Sequence, residues 1–308
     1  MYQFVLDRSL SDRWSISIVF GLIRGAMIKY LGDETVRWSI NGRSIVINFA
    51  HQLPYYMKGY PEYSRNISRI ADFIRSRIGG LCMIDVGANV GDTVAMCGLK
   101  PDDKFFLVEG DPTYFALLKQ NFANEHGVVL VHTMLSDRFG IQPGSLVAAN
   151  GTARVEQGKG TSLNLHYTTL DLLAAAHGGL KDTNLLKVDV DGYDGRVLRG
   201  ARQVIDWSHP ILFFECSPRE LEAAGDDALA LLDDLSALGY RRFVFYDNLG
   251  YLLGVVSADS RDQLADLMFY SRQRPGYYYD ILTFHVDQNS YLDQFLAQER
   301  RYYGNLSR

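Results

Sequence analysis

The chain has 308 residues, of which 47% are hydrophobic, and a formal net charge of −5. This length accommodates one large domain with an extension, and the apolar fraction is typical of a globular protein. The acidic balance gives no electrostatic footprint for DNA or RNA, so we expect no nucleic-acid partner.

The first 80 residues are predicted to form an extension ahead of the main domain. Connecting loops above a rigid scaffold often carry binding residues, so we expect this extension to cover the substrate site. In chain order its patterns predict a helical segment (1–35), a hairpin centred on Asn41-Gly42 (36–47), a loop rich in Tyr, Pro and Gly (51–63) and a helix (64–78) that Gly79-Gly80 ends.

From residue 81 onward, predicted strands alternate with predicted helices. This rhythm indicates an α/β protein whose parallel sheet is covered on both faces. We assign residues 81–290 to this domain, with a hairpin insertion or flap at 136–168 and a helical tail at 291–308. The strands are predicted at 81–86, 105–109, 128–133, 185–190, 211–215, 242–246 and 281–286, and the helices at 93–98, 114–124, 170–177, 194–205, 226–238 and 260–271.

Two features bear on the compartment. The three cysteines, Cys82, Cys97 and Cys216, are widely spaced, which argues against a disulfide framework or a zinc site and for a reducing, cytoplasmic environment. The longest apolar stretch, residues 16–31, contains Arg24 and Lys29 and is shorter than the roughly 20 residues that a transmembrane helix needs. We therefore expect neither a membrane span nor a signal peptide, and a homo-oligomer stays possible.

The most informative segment is Asp-Val-Gly-Ala-Asn-Val-Gly-Asp-Thr at residues 85–93. A strand that ends in a glycine turn and opens a helix directs backbone N–H groups at a ligand beyond the strand. A dinucleotide fingerprint would need glycines where Asn89 and Asp92 stand, and Asp92 would repel a pyrophosphate. The pattern favours a cationic or zwitterionic nucleoside, S-adenosylmethionine being the obvious candidate. The residues predicted to bind it here are Asp85, Gly87, Ala88, Asn89, Gly91 and Thr93.

Two later segments are predicted to complete the cofactor site. Glu109 ends the second strand, 24 positions after Asp85, where an acidic residue accepts hydrogen bonds from ribose hydroxyls. Its neighbours Gly110 and Asp111 join it, although this segment also suits a charge at a helix start. After the third strand, Ser136 and Asp137 could contact the adenine, or Asp137 could simply form a turn.

The segment Lys187-Val-Asp189-Val-Asp191 is predicted to carry the chemistry. Strand alternation places its three ionisable side chains on one face, which is costly in a central strand unless they pair or line a cleft. Asp189 is the first candidate for a general base, with Asp191 and Glu215 behind it and Lys187 as the group that orients the base. A purely structural Lys–Asp pair is the alternative. These carboxylates could hold Mg²⁺, but their spacing does not require it, so no metal is predicted.

The acceptor substrate is expected to contact two segments outside the strand ends. His51, Tyr56, Tyr63 and Asn66 belong to the region before the main domain, which could equally be a packing loop. Ser162 and His166 of the insertion are candidates for a lid, and Tyr193 follows the acidic segment.

Taken in order, several motifs in residues 81–216 resemble the FkbM family of S-adenosylmethionine-dependent methyltransferases. They differ from the usual family pattern at Gly110, where proline is commoner, and at Asp191, where glutamate is commoner. The motifs are Ile84-Asp-Val-Gly-Ala-Asn-Val-Gly-Asp-Thr-Val94, Val108-Glu-Gly-Asp-Pro112, Leu135-Ser-Asp137, Thr169-Leu-Asp171, Leu186-Lys-Val-Asp-Val-Asp-Gly192, Val197-Leu-Arg-Gly-Ala201 and Pro210-Ile-Leu-Phe-Phe-Glu215.

This resemblance implies a class I, Rossmann-like, doubly wound sheet of seven strands with the last strand antiparallel. It also implies O-methylation, commonly of sugar hydroxyls in polysaccharides, glycolipids or glycosylated metabolites. Three alternatives stay open: methylation of a polyketide or phenol, a catalytically inactive cofactor-binding scaffold in glycan assembly, and a nicotinamide oxidoreductase, which the glycine spacing disfavours.

Overall fold

The structure, a computed structural model, describes residues 1–149, 151–156, 163–178 and 180–306. Its helices are α1 (Tyr2–Ser9), α2 (Trp14–Leu31), α3 (Leu53–Gly59), α4 (Arg65–Ile74), α5 (Asp92–Cys97), α6 (Pro112–Phe122), α7 (Leu170–Ala176), α8 (Asp194–Arg199), α9 (Arg202–Ser208), α10 (Pro218–Ala223), α11 (Ala228–Ala237), α12 (Arg261–Arg272) and α13 (Asn289–Leu306). Its strands are β1 (Thr35–Ile40), β2 (Arg43–Asn48), β3 (Cys82–Val86), β4 (Lys104–Glu109), β5 (Val128–His132), β6 (Met134–Leu135), β7 (Gly140–Ala149), β8 (Thr152–Glu156), β9 (Leu163–Thr168), β10 (Leu185–Val188), β11 (Ile211–Cys216), β12 (Arg242–Asp247), β13 (Leu252–Ser257) and β14 (Tyr279–Thr283).

A sheet of eight strands organises the chain, in the order β13-β12-β14-β11-β10-β3-β4-β5. Strands β5, β4, β3, β10 and β11 pair in parallel, and β14 runs antiparallel to both of its neighbours. The seven predicted strands and the antiparallel last strand are confirmed, whereas the predicted count of seven is wrong. The eighth strand, β13, forms a hairpin with β12 and adds an edge.

The apolar runs of the sequence become the buried centre of this sheet. Every residue of β10 and β11 is buried, which is what a parallel sheet covered on both faces requires. Helix α6 shows how the elements are bounded locally. Asp111 caps it by accepting hydrogen bonds from the backbone N–H groups of Thr113 and Tyr114, and Pro112 occupies its first turn. Because these strands run parallel, their carboxyl ends lie together at one end of the sheet. The site forms at that end.

The region before β3 is partly as predicted. Strands β1 and β2 form an antiparallel hairpin in which Asn41 and Gly42 both have positive φ, at 49° and 82°. The prediction of a loop over residues 51–63 is wrong for Leu53–Gly59, which is helix α3 with Pro54 in its first turn. Proline suits that position because its missing N–H would have no partner there. The division of the chain at residues 80 and 290 stays a prediction.

Helix α13 is fastened to α4 by a buried ion pair. Arg69 Nε lies 2.6 Å from Glu299 Oε1, and Glu299 is fully buried. Tyr246 donates a hydrogen bond of 3.0 Å to the same carboxylate, and Tyr302 of α13 donates one of 2.9 Å to Glu62. Breaking such a buried pair costs about 3–5 kcal/mol, so α13 is an integral part of the fold. No helix in the described ranges has the length and apolarity to cross a bilayer.

Candidate active site

A cleft of about 320 Å³ opens at the carboxyl ends of the parallel strands. Its floor lies where the strand order changes direction, between β3 and β10. Ligands of open α/β sheets bind at this switch point. The cleft is lined by residues that follow β3, β4, β10 and β11, and by residues of α3, α4, β9 and β14.

The glycine turn after β3 is held by the neighbouring strand. The backbone N–H groups of Gly87 and Ala88 both donate to the carbonyl of Val108, at 2.9 and 3.0 Å. Gly87 has a φ of 81°, and a Cβ there would overlap the carbonyl oxygen of Asp189. The expectation that these N–H groups point at a ligand is therefore wrong for both residues. The turn instead serves as a rigid base on which β3 and β10 approach each other closely.

Glu109 has the geometry expected of a ribose-binding carboxylate. Its Oε2 accepts a hydrogen bond from the Asn89 N–H at 2.8 Å, and its Oε1 accepts one from the Asp111 N–H at 2.7 Å. Each oxygen keeps one lone pair for a ligand hydroxyl. Burial raises the pKa of Glu109 to about 7, although the two backbone N–H groups favour the ionised form. The carboxylate lines the cleft beside Gly110, Asp111 and Asn89.

Lys187 lies between two carboxylates at the centre of the cleft floor. Its Nζ is 3.1 Å from Asp85 Oδ1 and 3.2 Å from Asp189 Oδ2. The Asp85 side chain is fully buried, whereas 47% of the Asp189 side chain is exposed to the cleft. Burial alone would lower the pKa of Lys187, but Asp189 and Asp85 raise it well above its usual value. Lys187 is thus a fixed cation that orients Asp189.

The segment after β10 is shaped by Asp194. Its two carboxylate oxygens accept hydrogen bonds from the backbone N–H groups of Val190, at 3.3 Å, and Gly192, at 3.0 Å. Asp191 adopts the left-handed region with a φ of 48° and lines the cleft together with Tyr193. Asp194 was not predicted from the sequence. It positions the two acidic residues ahead of it and does not itself line the cleft.

Glu215 of β11 and Asp280 of β14 are register partners in the antiparallel pair, so they project from the same face of the sheet. Both line the cleft, and Glu215 is 7% exposed. Within the described part of the chain, neither a hydrogen bond nor an ion pair reaches the Glu215 carboxylate. Burial raises the pKa of Asp280 to about 7, and the charge of Asp189 adds to this shift. Asp280 was missed by sequence analysis, and Tyr278, which also lines the cleft, was not among the predicted site residues.

Aromatic rings form the wall opposite the strand ends. Tyr56 and Tyr63 stack with their centroids 5.0 Å apart and an interplanar angle of 19°. Both line the cleft, as do His51 and the buried Asn66, so the structure brings these four predicted residues together. Burial, reinforced by Asp92 and Asp189, raises the pKa of Tyr63 and keeps its hydroxyl neutral.

The insertion reaches the glycine turn through Gly151. Asn89 Nδ2 donates a hydrogen bond of 2.6 Å to the Gly151 carbonyl, and the His51 Nε2 lies 3.4 Å from Asn89 Oδ1. A Cβ on Gly151 would come within 2.7 Å of the His51 ring, and its φ of 102° also favours glycine. Burial lowers the pKa of His51 to about 4, so the ring is neutral here. The contact places part of the insertion over the cofactor end of the cleft.

Of the two predicted lid residues, Ser162 lies outside the described residues. His166 is exposed on β9 and does not line the cleft. Its neighbour Tyr167 does, because successive residues of a strand face opposite sides. Tyr167 stacks on Tyr193 with a centroid distance of 6.0 Å and an interplanar angle of 5°.

Several residues predicted to bind the cofactor do not line the cleft. Ser136 is fully buried, and its hydroxyl donates to Asp137, which pairs with Arg138 at 3.3 Å. Asp85 lies beneath Lys187, and Ala88 and Gly91 are packed inside the turn. Thr93 does line the cleft, as does Asp92, the first residue of α5. A carboxylate at this helix start disfavours an anionic ligand there.

The residues present fit a nucleoside without a pyrophosphate. Glu109 offers acceptor sites for ribose hydroxyls, and the Asp92 carboxylate at the start of α5 would repel a phosphate. The cleft carboxylates are not grouped for a metal. Within the described ranges, three ligand atoms come within 4.8 Å of one another at His209, His285 and Asp287 alone, next to the opposite edge of the sheet.

The strand order, the glycine turn and the acidic residue after β4 define the class I methyltransferase fold. The methyltransferase FkbM domain matches residues 85–242, about half of the chain, and the protein belongs to this family. The domain match extends beyond the motifs at residues 81–216 and ends at the first residue of β12.

Individual relatives are more distant. The hexuronic acid methyltransferase AglP of Haloferax volcanii is 33% identical over 120 residues, which are 38% of this chain and 48% of the relative, so the match spans about half of that protein. Methyltransferase FkbM from Methylobacillus flagellatus KT has 14% identity and a TM-score of 0.38, covering 77% of this chain and 51% of that one. Precorrin-6y C5,15-methyltransferase from Geobacter metallireducens GS-15 has 14% identity and a TM-score of 0.36, covering 70% and 87%.

Proposed function

We propose that the protein is an S-adenosylmethionine-dependent O-methyltransferase that acts on a sugar hydroxyl. The observation that carries this proposal is that one cleft joins Glu109, suited to a ribose, to the Lys187–Asp189 pair, suited to proton transfer. Glu109 ends β4 and Lys187 lies in β10, so the two groups stand on either side of the switch point between β3 and β10. Membership of the FkbM family supports the reaction class.

Glu109 would hold the ribose hydroxyls, with Asn89, Gly110 and Asp111 forming the surrounding wall. Gly87 and Thr93 would border the methionine portion. When bound, S-adenosylmethionine supplies a methyl group on a positively charged sulfur. The acidic lining suits that charge, because carboxylates attract a sulfonium and repel a phosphate.

Asp189 would act as the general base. Its carboxylate is partly exposed to the cleft. It would accept the proton of the acceptor hydroxyl as the oxygen bonds to the methyl carbon and the bond from that carbon to the donor sulfur breaks, leaving S-adenosylhomocysteine. Lys187 fixes the direction of the Asp189 carboxylate through the 3.2 Å contact. Holding the acceptor oxygen in line with the methyl carbon can supply on the order of 7–11 kcal/mol of the barrier. Asp191 and Glu215, the other predicted candidates for the base, line the same cleft.

The choice of a sugar rests on two observations. The stacked rings of Tyr56 and Tyr63 offer an apolar surface beside polar side chains, the combination that a sugar face requires. The relative from Haloferax volcanii is named for action on a hexuronic acid. A polyketide or phenol is the second class of acceptor, since the same rings could stack on an aromatic ring.

Calorimetry with S-adenosylhomocysteine and with NAD tests the donor site, and we expect only the former to bind. Mass-spectrometric screening of sugar and phenol acceptors for a gain of one CH₂ tests the reaction. Binding of the nucleoside without turnover on any acceptor would favour an inactive scaffold. Binding of NAD alone would overturn the proposal.

A further inference from the structure

The cleft is strongly acidic, and its one described lysine or arginine is already engaged. Among the described lining residues, Lys187 contacts both Asp85 and Asp189. The acidic side chains that line the cleft are Asp92, Glu109, Asp111, Asp189, Asp191, Glu215, Glu220 and Asp280.

Several of these carboxylates have partners within the protein. Glu109 accepts two backbone hydrogen bonds, Asp111 caps α6, and Asp189 pairs with Lys187. Glu215 differs from them, since it is nine-tenths buried and has neither a hydrogen bond nor an ion pair within the described chain. An unpaired buried carboxylate is costly, so such a group is retained where a ligand completes it.

Asp280 provides a second carboxylate opposite Glu215. Glu215 and Asp280 stand directly opposite each other across β11 and β14. Like charges in that arrangement destabilise a sheet, unless a proton or a cation lies between them. Burial and the charge of Asp189 raise the pKa of both carboxyls, and Lys187 opposes this shift at Asp280. A ligand cation would restore both to the ionised form.

Two tyrosines line the cleft together with this pair. One is Tyr278, two residues before Asp280, and the charges of Glu215 and Asp280 both act on it. The charge of Asp280 also acts on Tyr63, which lines the wall of the cleft opposite the strand ends. Tyrosine rings beside carboxylates are a favourable environment for an organic ammonium group, through cation–π attraction and charge-assisted hydrogen bonds.

We propose, on the basis of the function proposed above, that the acceptor carries a protonated amine, as an amino sugar does, and that Glu215 and Asp280 bind this ammonium group while Tyr63 and Tyr278 flank it. An anionic sugar such as a hexuronic acid would meet only like charge at this end of the cleft. The substrate preference thus differs from the one that the name of the Haloferax volcanii relative indicates.

The test compares the methyl glycosides of glucosamine, N-acetylglucosamine, glucose and glucuronic acid, both as acceptors and as ligands of the protein saturated with S-adenosylhomocysteine. We expect the amine to have a kcat/KM or an affinity at least about tenfold above its N-acetyl counterpart, and the uronic acid to be the poorest. Asp280→Asn should reduce this preference to within about threefold. Asp266→Asn, which removes an exposed carboxylate on α12, is the matched control and should keep it.

Three results would overturn the inference. The first is equal or better use of the uronic acid, and the second is equal binding of the amine and its N-acetyl form. The third is a loss of S-adenosylhomocysteine affinity in Asp280→Asn with unchanged acceptor preference, because the pair would then serve the donor. A protein that binds the amine selectively but methylates none of the four would support the ammonium site and contradict the proposed function. Failure of the ammonium site can therefore be distinguished from failure of the proposed methyltransferase function.

Discussion

The ammonium of Lys187 lies 3.2 Å from the carboxylate of Asp189 and 3.1 Å from that of Asp85. The two acids differ in exposure, because Asp85 is fully buried and Asp189 opens to the cleft. The buried Asp85 thus holds Lys187 in place. Lys187 in turn directs the Asp189 carboxylate toward the cleft, where a ligand can reach it. This division explains why three ionisable residues are tolerated at the centre of a parallel sheet.

Asp189→Asn is expected to lower kcat by about 10²–10⁴-fold, the usual contribution of a general base. The affinity for S-adenosylhomocysteine should stay within about threefold, since Glu109 and not Asp189 is proposed to hold the ribose. Steady-state kinetics and calorimetry on the same preparation check both. Asp191→Asn is the comparison variant, and a larger loss of kcat there would move the role of base to Asp191.

Binding of S-adenosylhomocysteine is expected to strengthen about tenfold between about pH 6 and about pH 8, as the Glu109 carboxyl ionises. Burial raises the pKa of Glu109 to about 7, so the neutral form dominates below that pH and offers weaker acceptors. Calorimetry across this range measures the effect. In Glu109→Gln, affinity should be lower by about 10–100-fold and nearly independent of pH. The same pH slope in that variant would assign the titration to another group.

Gly151→Ala is expected to weaken binding of S-adenosylhomocysteine and to cost about 1–2 kcal/mol of stability. The φ of 102° strains an L-residue, and the added methyl group would press on the His51 ring. Gly276→Ala is the matched control, because Gly276 also has a positive φ, of 74°, but no atom within 4 Å of a Cβ. Urea unfolding and calorimetry on both variants separate strain from the contact. Equal nucleoside affinity in the two would show that the insertion does not shape the donor site.

His51 is expected to make the fold less stable in acid. Burial lowers its pKa to about 4 in the folded protein, while the unfolded chain binds the proton near the ordinary value. Its stabilising effect is therefore complete above about pH 6.5 and decreases as the pH falls, by about 2.5 kcal/mol at about pH 4.5. Urea unfolding of wild type and His51→Gln at the two pH values isolates this effect, since other titrating groups contribute to both proteins. Parallel curves for the two proteins would contradict it.

The fold was largely predictable because apolar runs bounded by glycine or polar residues specify buried parallel strands. Strand β13 was missed because Gly254 interrupts its apolar pattern and a hairpin partner, β12, keeps it extended. The short helix α10 was not predicted either. Helix α3 was missed because its tyrosines, proline and glycine have the composition of a loop. Its packing in the tertiary structure outweighs that weak local propensity.

The candidate site was predictable where a side chain lies at the carboxyl end of a parallel strand or just after it, as Glu109, Asp189 and Glu215 do. Asp280 escaped this rule because β14 is antiparallel, so the residues at its beginning and not its end reach the cleft. The run of tyrosines before Asp280 was the available signal. In the insertion, the alternation of β9 decides between neighbours, and sequence alone did not show that Tyr167 and not His166 faces inward.

The ion pair between Arg69 and Glu299 has a genetic consequence. Tyr302 donates a hydrogen bond to Glu62, the residue directly before Tyr63. Because Tyr63 belongs to the aromatic wall opposite the strand ends, α13 supports that wall from behind. A stop codon before α13 would spare every residue proposed here to meet the nucleoside or the sugar. It would still remove the support of Tyr63, and a truncated allele of this kind would be a loss-of-function allele with an intact catalytic motif.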